Sequence, residues 1–173
     1  FLKVLMTATH VMTANVDPSV TNRDVFWQIF VEQTGLAQDE MEPFFEAFYK
    51  DQFLALESVI TRRETAVSLI EACQAQNLKV VIATNPMFPR LAVETRLKWA
   101  GLPVTEYTFD LVTTYENMHA TKPQPSYYQE VLQMIGVPAH EALMVGDDWE
   151  NDIVPANSLG CYTYWLPMNG ESA

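Results

Sequence analysis

The stretch that decides the fold is Ala142-Leu143-Met144-Val145-Gly146-Asp147-Asp148-Trp149-Glu150-Asn151-Asp152-Ile153. Its apolar start is typical of a buried strand, and Gly146 would let the backbone turn sharply where that strand ends. Carboxylates follow at Asp147, Asp148 and Asp152, where mutual repulsion should raise the pKa of at least one of them. Mg²⁺ would remove this repulsion, because it prefers oxygen ligands. The alternative interpretation is a solvated acidic turn before a helix.

The composition is that of a globular protein with an acidic balance. Of the 173 residues, 49% are hydrophobic and 18% are charged, which suits a chain with a buried core. The net charge of −12 opposes phosphate backbones and anionic lipids, so we expect neither nucleic acid nor a membrane as partner. Cys73 and Cys161 have no CxxC spacing, and we therefore expect free thiols in a cytoplasmic protein.

The apolar patterns divide the chain into two parts, a helical one at 1–62 and an alternating one at 63–173. In the first part, helices are predicted at about 1–14, 21–35 and 39–53, with Thr21 and Asp24 as a capping box. Aromatic residues of the third helix could line a substrate pocket, although helix packing is the preferred interpretation. They are Phe44, Phe45, Phe48 and Tyr49.

In the second part, strands alternate with helices. The strands are predicted at about 79–84, 110–114, 142–146 and 161–165, and the helices at 64–76, 89–100, 125–135 and 152–159. This alternation is typical of a parallel sheet that is covered by helices on both faces. The fold class is therefore α/β, a doubly wound parallel sheet with a small α-helical domain.

Three polar features follow the ends of successive predicted strands. Thr84-Asn85 ends the first strand, Lys122 lies in the loop after the second, and the aspartates follow the third. Ligands bind at the carboxyl ends of parallel strands, so these groups should meet at one edge. A hydroxyl, an ammonium and a carboxylate-held Mg²⁺ suit a phosphoryl group. Taken singly, Thr84-Asn85-Pro86 also reads as a turn, and Lys122-Pro123 as an exposed loop.

Motifs of other phosphate-binding and hydrolytic sites are missing from the sequence. It contains no GxxxxGK[ST], no GxGxxG after a strand and no GxSxG. A phosphoacceptor receiver domain uses similar residues, but there the acidic pair comes first in the chain and here it comes last.

The order of these motifs resembles that of the haloacid dehalogenase superfamily of phosphohydrolases. Val80-Val81-Ile82-Ala83-Thr84-Asn85 is similar to its second motif, Lys122-Pro123 to its third, and Gly146-Asp147-Asp148 through Asp152 to its fourth. Residues 1–62 resemble the helical cap that one large subgroup inserts between the first and second motifs. The resemblance covers essentially the whole chain.

The superfamily's first motif, DxDxT, is not found in the sequence. A strand and its loop need roughly ten to twenty residues, and by the family pattern they would precede Phe1. We therefore expect a chain truncated at its N-terminus and inactive by itself; the alternative is a natural pseudoenzyme. We also expect the strands at 79–84 and 142–146 not to be hydrogen-bonded to each other, since the superfamily places its first-motif strand between them.

The resemblance implies a mechanism for the complete protein. A first-motif aspartate attacks phosphorus to give a phosphoaspartyl intermediate, and a second aspartate protonates the leaving group. Thr84 and Asn85 bind the substrate phosphoryl group, Lys122 neutralises its charge and Asp147 ligates Mg²⁺. Asp148 and Asp152 either complete the metal site through water or orient Lys122. Thr84, Lys122 and Asp147 are thus the expected catalytic residues.

Three functions remain open at this point. The first is a Mg²⁺-dependent phosphatase of a small phosphorylated metabolite. The second is a non-catalytic protein that binds phosphate or a metabolite and lacks the nucleophile. The third is a phosphomutase or a dehalogenase on the same scaffold, although dehalogenases need no metal and the acidic cluster favours the phosphatase.

Overall fold

A computed structural model describes residues 1–167, so the last part of the expected second domain, 168–173, lies outside the described residues. The α-helices are α1 (Leu2–Thr13), α2 (Asn22–Thr34), α3 (Gln38–Lys50), α4 (Glu64–Ala75), α5 (Arg90–Trp99), α6 (Pro125–Ile135) and α7 (Val154–Ser158). The strands are β1 (Val81–Ile82), β2 (Leu111–Val112), β3 (Leu143–Gly146) and β4 (Tyr162–Trp165). Two 3₁₀ helices (Gln52–Val59 and Ala139–Glu141) and a π-helical turn (Trp149–Ile153) complete the described elements.

The strands are parallel, as predicted, but they form two pairs instead of one four-stranded sheet. β1 pairs with β2, with Val81 opposite Leu111, and β3 pairs with β4, with Leu143 opposite Tyr162. Within residues 1–167, β1 and β3 are not hydrogen-bonded neighbours, which confirms that expectation. β1 and β2 are shorter than predicted, although the Thr113 N–H still donates to the Ile82 carbonyl at 3.1 Å beyond the pair.

Helices cover both faces of the β1–β2 pair, as the alternating sequence predicts. On β2, the neighbouring residues Leu111 and Val112 point to opposite faces, because side chains alternate along a strand. Leu111 packs in a cluster with Tyr127, Tyr128 and other residues of α6 and α7. Val112 packs in a second cluster, with Val67 of α4 and with Val93 and Leu97 of α5. These layers give the Rossmann-like α/β core.

The helical part has its own aromatic core and a well-formed N-terminal cap. Phe26, Trp27 and Phe30 of α2 pack with Ala8 and Met12 of α1. The predicted capping box is present: the Asp24 N–H donates to Thr21 Oγ1, and the Thr21 N–H donates to Asp24 Oδ2, both at 3.1 Å. The helix ends at Gly35 with φ 71°, a left-handed conformation that glycine adopts without strain.

Asn22, at the start of α2, joins the helical part to two loops of the α/β part. Its side chain is fully buried, and its Nδ2 donates to the Pro86 carbonyl at 3.2 Å and to the Ala120 carbonyl at 3.1 Å. The Asn22 N–H donates to the Met118 carbonyl at 2.8 Å. Pro86 follows Thr84-Asn85 and Ala120 precedes Lys122, so this contact fixes both candidate site loops.

Two helix predictions need correction. The third helix ends at Lys50, before the predicted residue 53, and a 3₁₀ helix continues the chain. The helix predicted at 152–159 starts earlier, as the π-helical turn from Trp149, because the Asp148 carboxylate caps this turn by accepting from the Asn151 N–H at 2.9 Å. Of the helices within 1–167, none has the length and apolar character to cross a membrane.

Candidate active site

A buried ion pair lies at the centre of the site. Lys122 Nζ contacts Asp152 Oδ1 at 2.6 Å, and the two side chains are only 7% and 9% exposed. Asp152 Oδ2 also accepts from the Asp148 N–H at 3.2 Å. The sequence left open whether Asp148 or Asp152 meets Lys122, and in the structure Asp152 makes this contact.

Gly146 ends β3, and the chain bends at Asp147 directly after it, as predicted, although Gly146 does not have a positive φ. A Cβ at this position would overlap the Asp152 side chain. The glycine is therefore needed for space, because the Asp152 carboxylate folds back over the end of β3 to reach Lys122.

Hydrogen bonds and one cation–π contact connect Thr84 and Asn85 to this ion pair. Tyr127 of α6 donates its hydroxyl to the Thr84 carbonyl at 2.8 Å, and Lys122 Nζ lies 5.8 Å from the centre of the Tyr127 ring. Asn85 Oδ1 accepts from the Lys122 N–H at 3.3 Å. The structure thus brings Thr84, Asn85, Lys122 and Asp152 to one edge of the molecule.

The Thr84 hydroxyl is engaged within the protein. It donates to the Thr113 carbonyl at 2.9 Å, and Thr113 is fully buried. Its oxygen can still accept a hydrogen bond, but donation to a phosphoryl oxygen needs a rotation about the Thr84 side chain. The backbone at Thr84-Asn85 is the part of this segment that can bind an anion without such a change.

The acidic loop does not form the crowded cluster that the sequence suggested. Asp147 and Asp148 are exposed, whereas Asp152 is buried. Within residues 1–167, no group of three His, Cys, Asp or Glu side chains is arranged to hold a metal ion. Hydrogen bonds from the Asn151 side chain and backbone lower the pKa of Asp148, and the expected rise of at least one carboxyl pKa stays a prediction.

The donors at this edge nonetheless fit Mg²⁺ chemically. Mg²⁺ in phosphate-handling proteins commonly uses one or two protein carboxylates and fills the remaining positions with water and phosphate oxygens. The exposed carboxylates of Asp147 and Asp148, at the end of β3, are oxygen donors of this kind. Convergence of the Asp147 carboxylate with Lys122 and Thr84 stays a prediction.

Sequence reasoning missed two residues that shape the site, Tyr127 and Asn22. Tyr127 is fully buried, and burial raises the pKa of its hydroxyl above the ordinary value, so the group stays neutral and can donate to Thr84. Both residues lie in helices, where the apolar pattern assigns them to packing and gives no signal of their distant partners.

The fold and the site define the class of the protein: a Rossmann-like α/β core with a helical cap, and with a lysine and carboxylates at the carboxyl ends of its strands. The chain belongs to the haloacid dehalogenase-like hydrolase family, whose model matches residues 10–160.

A curated relative agrees with this assignment. The pyrophosphatase PpaX of Bacillus cereus (strain AH820) is 34% identical over 107 residues, which are 62% of this chain and 47% of that protein. The chain thus spans about half the length of this curated relative.

Solved structures show the same fold. A HAD phosphatase from Thermococcus onnurineus superposes with a TM-score of 0.60 at 22% identity, covering 99% of this chain and 80% of that one. A HAD family enzyme from Bacteroides thetaiotaomicron, in complex with magnesium and inorganic phosphate, gives a TM-score of 0.55 at 19% identity over 95% of this chain and 76% of that one.

Proposed function

We propose that the complete protein is a Mg²⁺-dependent phosphohydrolase that acts on a small phosphate monoester. The observation that carries the proposal is the buried Lys122–Asp152 pair beside Thr84-Asn85. A lysine held at the carboxyl ends of parallel strands supplies fixed positive charge where an otherwise acidic protein must bind an anion. The named activities of the relatives, a pyrophosphatase and a HAD phosphatase, agree with phosphate chemistry.

In the proposed reaction, each residue has one role. The backbone at Thr84-Asn85 binds the phosphoryl oxygens, and Lys122 neutralises their charge. Asp152 is a positioning residue, which holds the Lys122 ammonium in place. Asp147 and Asp148 would bind Mg²⁺, which when present supplies further positive charge to the phosphoryl group.

The nucleophile is an aspartate from outside the 173 residues. Its carboxylate oxygen forms a bond to phosphorus while the ester P–O bond breaks, and a second aspartate gives its proton to the leaving alcohol oxygen. Water then hydrolyses the phosphoaspartyl group, which releases inorganic phosphate and restores the carboxylate. We accordingly propose that the 173-residue chain alone is inactive, and that residues 1–62 act as its cap.

Phosphate release from methyl phosphate and pyrophosphate, with and without Mg²⁺, tests the proposal in the complete protein. We expect Mg²⁺-dependent release, and a loss of about 100-fold or more in kcat for Lys122→Met, because one preorganised charged donor contributes that much. Lys98→Met, at an exposed position near the C-terminal end of α5, is the matched control and should keep the parent rate. Absence of release by a folded complete protein would refute the proposal and favour a binding protein. Full activity of Lys122→Met would instead refute the role assigned to Lys122.

A further inference from the structure

A cavity of about 400 Å³ lies between the helical part and the loops that follow β1 and β2. This volume is in the range of small-molecule sites. Most of its wall is apolar, and the aliphatic and aromatic side chains that line it include Leu5, Met6, Phe26, Phe45, Met87 and Leu91. Phe45 and Tyr49 belong to the aromatic set of α3 for which a pocket was the less favoured interpretation, and both line this cavity.

The charged groups of the cavity wall are all carboxylates. They are Glu42, Glu46 and Glu116, and none of the lining residues described within 1–167 is a lysine or an arginine. Each of these carboxylates already has a partner: Arg23 pairs with Glu42 at 2.6 Å, Lys50 pairs with Glu46 at 2.7 Å, and the Arg90 N–H donates to Glu116 at 2.9 Å. An anionic group that entered the cavity would find no cation in its wall and would lose its hydration.

Two polar groups in the wall can serve a neutral ligand. Trp27 is 2% exposed, and its Nε1–H makes no hydrogen bond of normal geometry within residues 1–167. Burial raises the pKa of the Tyr115 hydroxyl to about 12, and the nearby Trp27 side chain offsets part of that rise. Tyr115 is therefore neutral at physiological pH, and the pair offers hydrogen bonds to a hydroxyl or carbonyl oxygen.

The cavity is close to the proposed phosphate site along two segments. Met87 follows Thr84 by three residues, which places their Cα atoms at most about 11 Å apart. Tyr115 follows Thr113, whose carbonyl accepts from the Thr84 hydroxyl at 2.9 Å. Short segments of chain thus join the proposed phosphate site to the cavity wall, which keeps the two close together.

We infer that the cavity binds the alcohol part of the substrate, and that this part is apolar or aromatic, without negative charge. The inference rests on the proposed function, since it deepens the identity of that substrate. It predicts that pyrophosphate, which gives one relative its name, is a poor substrate here, because the leaving group of pyrophosphate is itself an anion.

Binding of the free alcohol tests the inference without any catalysis. Titration calorimetry of the 173-residue chain with 1-naphthol and with 1-naphthoate should show naphthol binding at least about tenfold tighter, since the carboxylate would be buried without a cation. Met87→Trp fills the cavity and should abolish naphthol binding, whereas Met134→Trp, at an exposed position of α6, should not change it. Thr9→Lys places an ammonium in the wall and should reverse the preference.

Kinetics of the complete protein distinguish a failure of this inference from a failure of the proposed function. We expect kcat/KM for 1-naphthyl phosphate to exceed that for methyl phosphate and pyrophosphate by about tenfold or more, and Met87→Trp to remove that advantage. Equal naphthol and naphthoate binding, or a naphthyl preference that survives Met87→Trp, would overturn the cavity assignment while phosphatase activity stands. Loss of turnover for every ester would instead refute the proposed function.

Discussion

Among single residues, Lys122 and Asp152 matter both for the stability of the fold and for the proposed phosphate site. Both side chains are almost completely buried, so each charge depends on the other for compensation. Asp152 fits only because Gly146 has no side chain. The sequence indicated that Lys122 and the aspartates belong to one site, but which aspartate meets the lysine depends on the direction of a side chain after a turn. No local pattern contains that information.

Replacement of one member of this pair should destabilise the fold. For Asp152→Asn we expect a loss of about 3–5 kcal/mol in the free energy of unfolding, because the Lys122 ammonium stays buried without its counter-charge. Urea unfolding of the 173-residue chain measures this loss. The double variant Lys122→Met/Asp152→Asn should recover part of it. Glu46→Gln, which removes the exposed Lys50–Glu46 pair, is the control and should change stability by less than about 1 kcal/mol. An Asp152→Asn effect as small as that of the control would mean that the pair is not buried in solution.

Asp148 gives a prediction about pH. Hydrogen bonds from Asn151 lower its folded-state pKa below the ordinary value of 3.8. A lowered folded pKa means that the unfolded state binds the proton more readily, so this stabilisation is present at neutral pH and is lost as the pH falls through the folded pKa. We expect the difference in Tm between the parent and Asn151→Ala to be present at pH 7 and to shrink below about pH 4. A difference that is constant from pH 7 to pH 3 would contradict this assignment.

At the scale of elements, most helices and strands were predictable because their signals are local. Apolar periodicity located the helices, and Gly35, Gly101, Gly136 and Gly160 all adopt the positive φ that ends a helix or turn. The pairing of strands was less predictable, since it depends on neighbours that are distant in sequence. The predicted strand at 79–84 is reduced to Val81–Ile82, and at its carboxyl end the Thr84 carbonyl accepts from the hydroxyls of Thr113 and Tyr127 instead of from a strand N–H.

The capping box of α2 provides the test at this scale. Thr21→Ala removes the acceptor for the Asp24 N–H and should lower the free energy of unfolding by about 1 kcal/mol. Thr7→Ala, at a partly exposed position in the middle of α1, removes only a hydroxyl that bonds back to the Lys3 carbonyl, and should be nearly neutral. Chemical denaturation of both variants measures the difference. Equal effects would show that the capping geometry adds nothing beyond a surface hydroxyl.

At the scale of the whole molecule, the helical part is positioned on the α/β part through the start of α2. Asn22 holds the carbonyls of Pro86 and Ala120, which belong to the loops of Thr84-Asn85 and Lys122. The cavity for the substrate alcohol lies at the same junction. Sequence analysis could separate the two parts by their patterns, but it could not show their contact. A buried asparagine in a helix looks like any other polar helical residue until its partners are known.

We predict that Asn22 holds the helical part against the loops of the α/β part. Asn22→Ala leaves the Pro86 and Ala120 carbonyls without their donor, and each buried polar group left unpaired costs about 1–3 kcal/mol. We expect faster hydrogen exchange in α1, α2 and the 115–122 loop, whereas β3 and β4, which do not contact Asn22, should keep their protection.

Asn15→Ala is the matched control, because Asn15 also crosses the junction, to the His119 carbonyl at 3.0 Å, but from a less buried position. It should cost less and change exchange only near residue 119. Uniform acceleration across β3 and β4 in Asn22→Ala would show that the chain opens as one unit, and that Asn22 has no special role in joining the helical part to the site.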